Sequence, residues 1–456
     1  MIAKKNIFKI LLLFLLLHLI IWTLVPSITN KNLPLDTIEA LAWGSNLDWG
    51  FNKHPPLSAF AVELFYKIFG NQDWAYYFLS QIFVVFSFFI IFKLASELFK
   101  NDLFAFLSIL LLESIYFYNF TSPEFNVNIS QLPFWALSVY FTWRCINHDK
   151  ISDYIFLGIF IALGILSKYL FLYLLIGISL FFLYLAYKGK KISFSKLFLS
   201  GLVTLIVIFP HLIWLYKNDF ISLTYGLNRA GGGKDLFDHI SFPVIFIGKQ
   251  LGILIPFMFM AFFLIKKFKF EIKFQNKNII FLVFTFLVPI LSIILTSVIM
   301  GAKIRTMWMT PFYLLVGISI IEIYKKRLNL NLKKFFFVFF VFFFFSPAMY
   351  LIVSISNDFK RTDYEGKEIA RLVQNKWDDY FSNDIKIVVG DEWYAGNLSY
   401  HLSSRPKWII DLKNKTSDVG TDEGVIYTGN PKVLKKICPG IYGTIKPVGY
   451  CMIGRR

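Results

Sequence analysis

The chain has 456 residues, of which 56% are hydrophobic and only 17% charged, and Phe alone fills 54 positions. A soluble protein of this size has no interior large enough for so much apolar surface, which excludes a water-soluble globular enzyme and points to a polytopic membrane protein. The 47 Lys and Arg outnumber the 29 Asp and Glu by a formal charge of +18, a balance that on a soluble chain would suggest a nucleic-acid partner.

Crossing about 30 Å of hydrocarbon takes roughly 20 mostly apolar residues. Eleven runs approach that length, at 7–26, 74–92, 103–121, 129–146, 152–167, 169–187, 197–215, 241–265, 278–299, 307–323 and 334–355. The first follows Lys4, Lys5 and Lys9 in the manner of a signal peptide, but no small-residue cleavage site follows 23–26. It is therefore read as a retained first span. The fifth and sixth runs abut at Ser167 and Lys168 and are open to a second reading as one kinked helix.

With the N-terminus in the cytoplasm, one side of the membrane collects Lys93, Lys100, Arg144, Lys150, Lys188, Lys190, Lys191, Lys266, Lys267, Lys325, Lys326 and Arg327. The opposite short loops carry far fewer basic residues. This asymmetry sets orientation. It also accounts for much of the positive charge without a nucleic-acid stripe. An odd number of spans then places the tail, 356–456, in the periplasm. There a helical pattern at 366–381 precedes short apolar runs at 385–389, 408–410 and 425–427, the pattern of a small α/β domain. Cys438 and Cys451 both fall in this tail, where an oxidising compartment permits a disulfide; two unrelated thiols are the other reading. The expected organisation is thus a transmembrane domain over 1–355, with a first periplasmic loop at 27–73, and a periplasmic α/β domain over 356–456.

In such a protein the informative residues are acids, bases and amides that topology does not require. They gather on the outer side. In the first loop, Asp36 and Glu39 stand three apart and share one face of a helical turn. A solvated acidic turn, or a helix start with Asp36 as its cap, is the plain alternative. Asp48, Lys53 and His54 precede the stiff Pro55 and Pro56, and an amphipathic segment at 57–69 is too short to span. Trp43, Trp49 and Phe51 supply interfacial anchoring. Further along, Glu124, Asn126 and Asn128 cluster between two spans, Lys168 sits at a junction that needs no charge, and Lys303 and Arg305 precede Trp308 and Pro311. His211 lies near an outer helix end. Singly these are snorkelling lysines, helix caps or a core histidine. Together they describe a cavity with acids on one wall and cations on the other. Cations hold phosphate by charge-assisted hydrogen bonds, and a carboxylate can take a proton from an incoming hydroxyl or amine as phosphate leaves.

Residues 35–57 resemble the signature of the polyprenyl-phosphate-dependent glycosyltransferases of the GT-C fold. That group includes the protein O-mannosyltransferases, the aminoarabinose transferase of lipid A and bacterial galacturonosyltransferases. The carriers of the resemblance are Asp36 and Glu39, then Trp49, Gly50 and Phe51, then Lys53, His54, Pro55, Pro56 and Leu57. The segment 164–169 is similar to the family's Gly…Lys segment, Asn128 with Trp135 resembles its polar residue seven before a Trp, and Lys303, Arg305 and Pro311 resemble its last phosphate-side loop. The stretch 391–406 is similar to the outer domain of some bacterial members. The resemblance implies Asp36 or Glu39 as catalytic base, with Lys53, His54, Lys168, Lys303 and Arg305 on the donor phosphate. It leaves Asp48, Glu124, Asn128 and Tyr169 as substrate-binding groups. Ile38 stands where many members carry an Asp directly before the Glu, and Asn128 where others have Asp, so the choice of base stays open.

The expected activity is transfer of a sugar from an undecaprenyl-phosphate donor to a glycolipid, lipid A/core or surface-polysaccharide acceptor at the periplasmic face of a bacterial inner membrane. No nucleic acid takes part. No cofactor is expected, with a divalent cation at Asp36 and Glu39 left open. The rival readings are a lipid-linked sugar transporter or flippase, against which the absence of repeated halves and of midplane polar groups counts, and a noncatalytic assembly protein.

Overall fold

The computed structural model describes residues 4–233, 235–269, 275–357, 359–410, 423–445 and 448–456. A long first helix, α1 (Lys4–Thr29), is followed by two short helices, α2 (Leu35–Gly44) and α3 (Leu57–Phe69). The body then runs through α4 (Asp73–Phe99), α5 (Asp102–Leu112), α6 (Val127–His148), α7 (Ile151–Ser167), α8 (Leu172–Tyr187) and α9 (Phe194–Lys217). After a short α10 (Ile221–Ala230) come α11 (Asp238–Leu264), α12 (Lys277–Leu282), α13 (Val288–Met300), α14 (Val316–Tyr324) and α15 (Lys333–Ser356). Among the described residues, eight helical stretches are long and apolar enough to cross a bilayer. The other three expected spans fall on α5, α6 and α7, of which α5 and α7 are shorter apolar helices. The molecule is a multi-pass helical membrane protein.

The junction between the fifth and sixth expected runs is a break, not a kink. Lys168 leaves α7 with an extended backbone (φ −165°, ψ 137°) before the chain re-enters helix at Tyr169. The outer loop is helical where the sequence places Asp36 and Glu39 on one face. Pro34, with φ −62°, leads into α2, and Pro56 leads into α3; a ring-fixed φ suits a helix start, where no N–H partner is available anyway.

Past α15, the tail folds as α16 (Gly366–Tyr380), β1 (Ile385–Val389), α17 (Tyr394–His401), β2 (Lys407–Ile409), β3 (Gly424–Gly429), α18 (Pro431–Ile437), β4 (Ile441–Ile445) and β5 (Val448–Ile453). The sheet order is β2-β1-β3-β5-β4. β1 runs parallel to both β2 and β3, with Val388 opposite Trp408 and Ile426, while β5 is antiparallel to β3 and β4. Cys438 and Cys451 form a disulfide with Cα atoms 5.6 Å apart, tying the end of α18 to β5. Cys145 is a free, buried thiol.

Val389 and Val425 form a small cluster of the tail's own, but its main core is shared with the first loop. Val373 and Trp377 of α16, Val388, Leu398, Trp408 and Ile426 pack in one buried cluster with Ala42, Trp43, Phe51 and Ala59 of the first loop. Gly396 makes this close packing possible, because a Cβ there would meet the side chains of Ile38 and Ala42 at 3.1 and 3.2 Å. Polar ties reinforce the seam. Arg405 donates to Glu63 at 2.7 Å and to the Leu41 carbonyl at 2.6 Å. Asn32 donates to Asn397 at 2.8 Å and also pairs with the His401 ring. Tyr400 donates to Asp73 at 2.7 Å. Both side chains of the Arg405–Glu63 pair are largely buried. Deleting one partner would strand the other's charge, at a cost of about 3–5 kcal/mol.

Candidate active site

A cavity of about 740 Å³ opens where helix ends meet the first loop. Asp36 and Glu39 of α2 form one wall, with Lys53 and His54 beside them. Lys168, Tyr169 and Asn128 lie on a second side, and Arg305 on a third. Much of the remainder is apolar, including Leu172, Ile176, Met300 and Ile304. Polar groups and a greasy wall therefore share one space, as an amphiphilic substrate would require.

Helix geometry sets the acid wall. Asp36 and Glu39, one turn apart, point the same way because 3.6 residues complete a turn. The Glu39 carboxylate accepts from the Lys53 ammonium at 2.8 Å, whereas the Asp36 side chain makes no hydrogen bond among the described residues. Burial raises the carboxyls of both above their ordinary values. For Asp36 the Lys168, Lys53, Arg229 and Arg361 charges pull back; for Glu39 the Lys53 contact does. Glu124 sits behind, its carboxylate accepting the Asp36 backbone N–H at 3.0 Å. Burial, then repulsion from Asp36, pushes Glu124 up to about 8, so at neutral pH it is mostly protonated.

On the cation side, Lys168 is only 7% exposed, and its ammonium donates to Asn128 Oδ1 at 2.6 Å. It also lies 5.1 Å from the centre of the Trp308 ring. Asn128 is placed by Asn126, whose side chain caps α6 by accepting from the N–H groups of Asn128 and Ile129. Burial pulls Lys168 down to about 7, with only the Asp36 charge opposing it. His54 is pushed further, to about 3, by burial and by Lys168, Lys53 and Arg229. At neutral pH it is an uncharged imidazole, edge-on to Trp43 and Tyr225. It can therefore offer a ligand a hydrogen bond but not a positive charge.

A relay fixes the cavity roof. The His211 ring meets the Trp49 carbonyl through Nδ1 at 2.6 Å and the Tyr169 hydroxyl through Nε2 at 2.9 Å. A carbonyl only accepts, so Nδ1 carries the proton, Nε2 accepts from Tyr169, and Ser222 Oγ donates to Tyr169 at 2.7 Å.

Three expected residues do not line the cavity. Asp48 is exposed and accepts from the Trp49 N–H; Glu124 lies behind Asp36; Lys303 is exposed, with its ammonium 5.9 Å from the Phe242 ring centre. Other residues line it or reach its lining that the sequence alone does not single out. Ser222, Tyr225 and Arg229 of α10 face it at spacings of three and four, a helical periodicity that is present in the sequence. Glu392, from the tail, reaches Lys53 at 3.0 Å. Among the described residues no group of three or more His, Cys, Asp and Glu is arranged to hold a metal ion.

Residues 53–214 match the family model described as dolichyl-phosphate-mannose-protein mannosyltransferase. That stretch includes Lys53, His54, Asn128 and Lys168, but not Asp36 or the tail. The structure superposes on the crystal structure of ArnT from Cupriavidus metallidurans bound to undecaprenyl phosphate, with a TM-score of 0.64 over 99% of this chain and 98% of that one. The fold is that of ArnT. Sequence identity in this ArnT superposition is 11%; with ArnT in the apo state the TM-score is again 0.64, at 10% identity and 97% coverage of both chains. No curated protein is a significant sequence match. The ArnT-like architecture, tail included, agrees with the GT-C resemblance carried by residues 35–57.

Proposed function

We propose that this protein is a membrane glycosyltransferase that takes a sugar from a polyprenyl-phosphate donor and passes it to a glycolipid, lipid A/core or surface-glycan acceptor at the periplasmic face of the inner membrane. The observation that carries this reading is one largely apolar cavity lined both by Asp36, whose carboxylate makes no hydrogen bond among the described residues, and by buried Lys168. ArnT, the structural neighbour, was crystallised with undecaprenyl phosphate. A lipid tail would follow Leu172, Ile176 and Met300, leaving its phosphate near Lys53, Lys168 and Arg305.

In this reading Asp36 removes the proton from the acceptor hydroxyl or amine as that atom attacks the anomeric carbon. The sugar–phosphate bond breaks, its electron pair stays on the phosphate oxygen, and the configuration inverts. Asp36 suits the role of base better than Glu39, whose carboxylate is occupied by Lys53. Charge on the departing phosphate grows through the reaction, so fixed cations stabilise the transition state more than the bound donor. No step is assigned to a metal.

The test is sugar transfer by purified protein from polyprenyl-phosphate donors, comparing the native chain with the double variant Asp36→Asn, Glu39→Gln. Loss of general-base catalysis should lower turnover by about 10²–10⁴-fold with expression and melting unchanged. Undiminished transfer by the double variant would end the proposal, as would movement of intact donor lipid across vesicles without bond cleavage.

A further inference from the structure

The tail packs over the outer loop, but at one point it reaches the cavity itself. Glu392, 8% exposed, follows β1 in the turn that starts α17. Gly390 makes that turn possible by adopting φ +146°, a conformation that L side chains rarely take. The Asp391 carboxylate accepts from the N–H groups of Trp393 and Tyr394 at 2.8 and 2.7 Å, which pins the start of the helix. Between these constraints, Glu392 Oε1 points at the first loop, where it accepts from Asn52 Nδ2 at 3.0 Å and meets Lys53 Nζ at 3.0 Å.

An ammonium has three N–H donors in a tetrahedral arrangement. On Lys53 one goes to Glu39 at 2.8 Å and a second to Glu392 at 3.0 Å. Two fixed acceptors on different elements define the direction of the third donor, whereas a single acceptor would let the ammonium swing about one contact. Lys53 lines the cavity, so the third donor is the one left for a ligand.

We propose that Glu392 is a positioning residue: from the C-terminal domain it holds the Lys53 ammonium in place, so that this domain completes the donor-phosphate site. The assignment rests on the reading above that Lys53 contacts the donor phosphate. Glu392 touches neither sugar nor acceptor; it acts through Lys53. Its charge also bears on the base wall. Glu39 feels Lys53, Asp36 and Glu392 together, and Lys53 feels Glu39 and Glu392, while Lys168 and Arg229 act on neighbouring Asp36. Without Glu392, Lys53 would settle wholly on Glu39.

The first test needs no substrate. In the full-length protein, labelling of Lys53 by acetic anhydride at fixed mildly alkaline pH is followed by mass spectrometry, with melting temperature measured alongside. Glu392→Gln keeps the amide contact but removes the charge, and should raise Lys53 labelling about ten-fold, equivalent to one pKa unit. Glu392→Asp should raise it less, and melting should stay near that of the native chain. Equal Lys53 labelling in native and Glu392→Gln protein overturns the proposal, as does a rise found only together with a collapse in melting for both variants. The second test is transfer activity. Glu392→Gln should lower kcat/KM for the donor about ten-fold, yet add no loss in a Lys53→Met background, because a residue acting through Lys53 has nothing left to act on. Multiplied losses in the double variant would overturn it. If the native chain transfers no sugar from any polyprenyl-phosphate donor, the functional reading fails while the labelling result still decides what Glu392 does.

Discussion

Two lysines face the cavity and are held in different ways. Lys53 rests between two carboxylates, Glu39 and Glu392, at 2.8 and 3.0 Å; Lys168 is buried against one neutral amide, Asn128, at 2.6 Å. For Lys53 the carboxylates outweigh desolvation and raise its pKa, whereas for Lys168 desolvation wins and brings it to about 7. Distance to a partner is thus a poor guide to charge, and the partner's own charge decides. Lys53 is a standing cation. Lys168 sits near its titration point, where an arriving phosphate would draw it into the charged form without the expense of displacing an existing ion pair.

This contrast can be broken experimentally, beginning with the largest effect. In the proposed reaction Lys168 faces the leaving group, so Lys168→Met should cut turnover by about 10²–10³-fold, measured as kcat in purified protein. Next is pH. The kcat/KM for the donor reports groups on the free enzyme. Lys168 must be protonated to attract phosphate, so activity should fall as pH rises through about 7. Asn128→Asp supplies a carboxylate partner and should move that basic limb upward by about one unit or more. A limb that stays in place would show that Lys168 does not set it. Smaller still should be Glu124→Gln. Glu124 is already mostly protonated at neutral pH, so an amide should keep turnover within about two-fold, on the scale of a neutral hydrogen-bond exchange. A large loss there would assign the negative charge to Glu124 and not to Asp36.

The two lysines also show how far the sequence could be read. Lys168 was visible because a charge at the junction of two apolar runs has no topological purpose, and the structure places it at the helix break. Lys53 was visible beside Pro55 and Pro56. Its second partner was not, because Glu392 lies 339 positions away and reaches the cavity only through the packing of α17 on α2. Short apolar elements were equally legible. The segment at 57–69 is α3, and the run at 385–389 is β1. In contrast, β4 and β5 went unread, since they contain Gly443 and Gly449 and lack a clean alternation. Arg229 went unread as a cavity residue, though the three-and-four spacing of Ser222, Tyr225 and Arg229 carries the helical signal that places them on one face. Lys303 illustrates the opposite error. Proximity to Arg305 in sequence says nothing about direction in an irregular stretch, and only Arg305 turns inward to line the cavity.

The buried cluster that joins Trp43 and Phe51 to Trp377, Trp408 and Ile426 has a practical consequence for protein engineering. Chimeras that graft the tail of one relative onto the helices of another would pair mismatched halves of a single interior. Exchanging α2 and α3 together with residues from 361 onward would keep that interior intact, and with it the reach of Glu392 to Lys53.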